Sequence, residues 1–107
     1  MPRITDFQYL YAVTSDTHAK VGVTNNPAQR LPAVRRVGLT CLEYLFYFPF
    51  DHNAATVAAT WNDHPSVGLH GLGIVDGHTE IGLLAALDDQ LALIHDACLQ
   101  VGATRVA

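Results

Sequence analysis

Phe7-Gln-Tyr-Leu-Tyr-Ala-Val13, Thr14-Ser-Asp-Thr-His18, Ala19-Lys-Val-Gly-Val-Thr24: these eighteen residues decide the fold. The first run is rich in aromatic and β-branched residues and predicts a strand over 7–13. The second is a cluster of turn formers. The third alternates, with Val21 and Val23 on one face and Lys20 and Gly22 on the other, and predicts a strand over 19–24. Strands joined by so short a turn pair antiparallel.

Outward from the hairpin, Asn25-Asn-Pro27 is a helix start. Asn26 can accept from a free helix N–H, and Pro27 at the first helical position lacks a donor the helix does not use. The helix runs toward Val37 and stops at Gly38. Pro32 lies inside this span, and either kinks one helix or begins a second short one carrying Arg35 and Arg36. Thr40-Cys-Leu-Glu-Tyr-Leu-Phe-Tyr-Phe48 is nearly continuous apolar sequence and predicts a central strand. Asp51 or Asn53 caps a helix to about Asn62, with Ala54, Val57, Ala58 and Trp61 at helical spacing. The glycine-rich stretch 65–78 is a loop, with room for a short extended piece at Gly73-Ile-Val75. Residues 79–84 return to order as a strand or a helical start. Asp88 or Asp89 then opens a last helix with Leu91, Ile94, Cys98 and Val101 on its buried side, ending at Gly102. The residues after it are expected to be loose. The fold class is α+β: a small antiparallel three-stranded sheet flanked by helices, in the order ββαβα-loop-α.

The chain has 107 residues, half of them hydrophobic and only 15% charged. That suits a single domain over 1–107 and argues against disorder. A domain of this size is marginal, which leaves room for a homodimer. No apolar run approaches the length of a membrane span, and the start lacks a signal-peptide core, so a soluble cytoplasmic protein is expected. Cys41 and Cys98 show no metal spacing and no disulfide framework; both are read as buried free thiols.

Net charge is −4, yet four of the six cationic side chains, Lys20, Arg30, Arg35 and Arg36, fall in a stretch without a single acid. Such a cluster either forms a phosphate-binding face on an acidic protein or is a solvated helix face. His70, His78 and Glu80 are an alternative small metal cluster. His78-Thr-Glu80 has the His-x-Glu look of a zinc deaminase, but no Cys-x-x-Cys follows it.

The combination resembles the GIY-YIG nuclease superfamily, and within it small phage and bacterial proteins whose second motif reads Lys-Ile-Gly. Tyr9-Leu-Tyr11 stands where that family has Gly-Ile-Tyr, and Lys20-Val-Gly22 where it has the second motif. Arg30 follows Lys20 by ten residues on a helix, and Glu80 precedes an apolar step before the final helix. The resemblance implies a metal-dependent DNA endonuclease. Tyr11 would be the activating hydroxyl, with Lys20 beside it, Arg30 the phosphate clamp, and Glu80 the ligand of Mg²⁺ or Mn²⁺. Lys20, Arg30, Arg35 and Arg36 would face nucleic acid. Three positions differ from the family pattern: Tyr9 replaces the first glycine, Lys20 replaces a tyrosine, and the helix at 54–60 carries no glutamate. Two alternatives follow: a catalytically inactive binding module of the same fold, or a small phage- or plasmid-borne inhibitor whose acidic surface binds a host protein.

Overall fold

The computed structural model describes residues 7–49, 54–68 and 81–107. Within them the chain is α+β with an antiparallel sheet. Strands β1 (Tyr9–Thr14) and β2 (His18–Thr24) form the expected hairpin, with Tyr11 opposite Gly22 and Val13 opposite Lys20. Ser15 closes its turn: its hydroxyl oxygen accepts from the N–H groups of Thr17 and His18 at 3.3 and 3.0 Å.

Helix α1 (Pro27–Arg35) follows. The Asn26 side chain caps it, accepting from Gln29 N–H at 3.3 Å, and Pro27 opens it. The helix runs through Pro32 without ending there. It ends at Arg35, two residues short of the expected Val37, and the chain turns away at Gly38, whose φ of +103° is left-handed backbone; Leu39 N–H closes the end on the Val34 carbonyl at 3.2 Å.

The sheet is larger than the expected three strands. β3 (Cys41–Tyr47), β4 (Ile81–Leu83) and β5 (Thr104–Arg105) complete the order β4-β2-β1-β3-β5. The central strand is therefore β1, not the 40–48 run. β3 is bordered by the two-residue β5, and its first half is open: Cys41 and Glu43 are exposed while Tyr44, Leu45 and Phe46 are buried. A register shift opposite Ala12 and Val13 marks the change. Of the two thiols only Cys98 is buried; Cys41 is exposed, because it lies on the open half of β3. The C-terminal residues are tied down rather than loose: Arg105 donates to the Glu43 carbonyl at 3.1 Å, and Val106 N–H donates to the Leu45 carbonyl at 2.8 Å.

Helix α2 (Ala54–Asn62) buries Ala54, Val57, Ala58 and Trp61, as the spacing predicts. Its proposed caps, Asp51 and Asn53, lie outside the described residues, as does the extended piece expected at Gly73-Ile-Val75. Helix α3 (Leu84–Gln100) begins four residues before Asp88, straight out of β4, with no side-chain cap. It buries Leu87, Leu91, Ile94 and Cys98. No described helix is long and apolar enough to cross a membrane.

The two sheet faces carry separate cores. One side packs Leu10, Ala12, Val21, Tyr44 and Phe46 against α2 and α3. The other packs Tyr11, Val13, Leu45 and Ile81 with Val34 and Leu39, beneath α1. The period of two in β1 and β2 makes this division: Tyr9, Tyr11 and Val13 share the α1 face with Lys20, Gly22 and Thr24.

Candidate functional site

The α1 face gathers most of the chemistry-bearing residues. On the sheet, Lys20 and Tyr11 meet diagonally across the hairpin. The Lys20 ammonium donates to the Tyr11 hydroxyl at 2.8 Å and lies 4.9 Å from the centre of its ring. Both are nearly closed from solvent, at 2% and 1% exposure. A buried ammonium survives only with polar partners and π-density to replace water. Gly22 leaves the space for the pair: a Cβ there would collide with the end of the Tyr11 side chain and stand 2.6 Å from Lys20 Nζ.

Thr24 ends the same row of β2 and pairs with Tyr9. Beside it α1 begins. Thr24, Asn26, Gln29, Arg30, Ala33 and Arg36 line one depression of about 320 Å³. Arg30 is half-buried there and Arg36 exposed. Residues 29, 33 and 36 recur at helical spacing along one face of α1, with Arg30 next to Gln29. Among the described residues, no acidic one lines the depression. Two guanidinium groups, that of Arg30 near the capped helix start and that of Arg36 at the C-cap, favour an anion. Arg35 is exposed and does not line this depression.

The structure thus brings Tyr11 and Lys20 together, sets Arg30 and Arg36 around Thr24 on the same side of the sheet, and leaves Arg35 apart. Glu80, His70 and His78 lie outside the described residues. Ile81, which follows Glu80 in the chain, is the register partner of Lys20. Among the described residues, no group of three or more His, Cys, Asp or Glu side chains could hold a metal ion. No family model, curated protein or solved structure matches this chain.

Thr24, Asn26 and Gln29 were not singled out from sequence as site residues. The signal was present: Thr24 alternates with Lys20 and Gly22 on β2, and Gln29 precedes Arg36 by seven residues, two helical turns.

The opposite face holds a second depression, of about 340 Å³, lined by Glu43, Tyr44, Asp88, His95 and Asp96 among others. Here the Tyr44 hydroxyl donates to the Leu91 carbonyl at 2.8 Å. Burial raises its phenol above the usual range, and nearby Cys98 and Glu43 push the same way against a smaller opposing pull from Arg105. Burial likewise raises the Cys98 thiol, to about 12. Neither group is poised as a nucleophile near neutral pH.

Proposed function

We propose that this protein acts on nucleic acid as a GIY-YIG-type endonuclease, hydrolysing DNA phosphodiester bonds with a divalent metal. The observation that carries the reading is the shared α1 face. A tyrosine hydroxyl and an arginine-lined depression lie on one side of the same hairpin, in the order the family resemblance assigns.

Phosphodiesters resist attack because they are anionic, so fixed cations that offset growing charge accelerate hydrolysis. Arg30 holds the phosphate through its planar fork of donors. Lys20 fixes the Tyr11 hydroxyl in place by donating to it. Tyr11 then orients the attacking water through its hydroxyl; as the water oxygen bonds to phosphorus, the water's proton passes to bulk solvent and the phosphorus–oxygen bond to the leaving strand breaks. One carboxylate with water and phosphate oxygens is a normal Mg²⁺ arrangement, so Glu80 would hold Mg²⁺ or Mn²⁺, which offsets charge on the phosphate when bound.

The test is nicking of supercoiled plasmid with Mg²⁺ or Mn²⁺. Cleavage that EDTA blocks and that Arg30→Ala or Glu80→Gln removes supports the reading. DNA binding without any cleavage overturns it in favour of a non-catalytic binding module. One observation already favours that second reading: Tyr11 and Lys20 are buried and bonded to each other, so the hydroxyl is not offered to solvent.

A further inference from the structure

We propose that Thr24 and Arg36 complete, with Arg30, a subsite for one phosphate group, and that Arg35 takes no part in it. The inference deepens the nucleic-acid reading and rests on it for the identity of the strand whose phosphate is held.

Three observations carry it. First, Thr24 is 7% exposed, yet its side chain lines the depression. Its hydroxyl oxygen accepts from Asn26 N–H at 3.0 Å, and among the described residues its proton has no acceptor. A buried hydroxyl with a proton to give is a donor waiting for an anion. Second, the two lining side-chain oxygens that could repel an anion at close range, those of Asn26 and Gln29, are already engaged. The Asn26 side-chain oxygen accepts from Gln29 N–H, and its amide faces the Gln29 side-chain oxygen at 3.5 Å. Third, helical side chains lean toward the N-terminus, which carries Arg36 back over Ala33 and into the depression. Arg35, about 100° around the helix from Arg36, projects elsewhere. The donors are then two guanidinium forks and one hydroxyl around a small methyl floor at Ala33. Three donor groups around one depression can serve the several oxygens of a tetrahedral phosphate, and they do not suit an apolar ligand.

The test is an amide NMR titration of the full chain with inorganic phosphate, against sodium chloride at equal ionic strength. Expected are saturable shifts at Thr24, Gln29 and Ala33. Arg36→Gln and Thr24→Val should each weaken the affinity at least fivefold, and Arg35→Gln should leave it unchanged. Thr24→Val also removes the acceptor of Asn26 N–H, so Thr24→Ser is run beside it; serine keeps both roles and should bind as the wild type does. Shifts that do not saturate, or equal weakening by Arg35→Gln, overturn the subsite and leave only diffuse attraction. A short single-stranded oligonucleotide forms the second arm. If it displaces phosphate from the same amides, the subsite holds a strand phosphate. If phosphate binds as described but the oligonucleotide does not compete, the subsite stands for free phosphoryl groups and the nucleic-acid reading falls.

Discussion

Gly22 lies directly across the β1–β2 ladder from Tyr11, and the space a side chain would fill there is taken by the Tyr11 hydroxyl and the Lys20 ammonium. The glycine is thus required by the pair rather than by its own backbone, whose φ is not left-handed. Gly22→Ala should displace the tyrosine ring or the lysine head. Overpacking of this kind costs typically about 1–3 kcal/mol. Urea unfolding reads the loss, and a variant as stable as the parent would mean that the pair can part without cost.

Tyr11→Phe separates structure from chemistry at the same place. It removes a hydrogen bond from a buried ammonium, and the expected destabilisation is about 1–3 kcal/mol, the range for stripping a partner from a buried polar group. Any nuclease activity should fall to background at temperatures where the variant is still folded. Arg30→Ala should abolish cleavage with a stability change of only about 0.5 kcal/mol, because Arg30 is partly exposed. Thermal melts beside cleavage assays decide both; full activity in either variant removes that residue from the proposed chemistry.

How far the sequence went depends on the range of the interactions involved. The hairpin, the Asn26 cap, the turn at Gly38 and the α2 stripe are set by neighbours within a few residues, and they were legible. β5 is two residues, Thr104 and Arg105, held by an arginine reaching a carbonyl 62 positions away in the chain; no local pattern announces it. β4 has three residues, and α3 leaves it without a polar cap, so Asp88 and Asp89 pointed to a start that is too late. Cys41 sits in an apolar run but on the half of β3 that β5 never reaches. At the site, period two put Tyr11 and Lys20 on opposed strands of one hairpin. Their burial depends on parts distant in the chain, Val34, Leu39 and Leu45 against Tyr11 and Ile81 of β4 beside Lys20, which spacing does not encode.

The two thiols should differ sharply. Cys41 is exposed, and Cys98 is buried with its thiol pushed up to about 12. At pH 8 a thiol reagent should label one cysteine in the native protein and both in denaturant. The sign for stability follows from the same shift. A neutral thiol held in the fold with a raised value stabilises fully below its ordinary value of 9.0 and loses that contribution as pH rises toward 12. Tyr44, also shifted upward, adds in the same direction. Stability measured from pH 8 to 11 should therefore decline, and Cys98→Ala should flatten the decline. A curve level through this range would contradict the burial of both groups.

The salt dependence of DNA binding weighs the individual cations. Lys20 is 2% exposed and bonded to Tyr11, so it does not reach a backbone phosphate from this position. Arg30 and Arg36 share the depression, and Arg35 stands outside it. Each neutralised phosphate on duplex DNA contributes about −0.9 to the slope of log K against log salt, so two contacts give about −1.8 and four would give about −3.6. The expected slope is the shallower one. Arg36→Gln should flatten it by about 0.9 while Arg35→Gln leaves it in place. The acidic remainder of the chain keeps binding weak at physiological salt, which makes low-salt titration of a labelled duplex the appropriate measurement. A slope near −3.6 would mean that Lys20 and Arg35 also engage the strand, and hence that the Tyr11–Lys20 pair opens on binding. Absence of binding at every salt concentration would leave the cluster as a solvated helix face and move the working surface to the acidic side, where Glu43, Asp88 and Asp96 line the second depression.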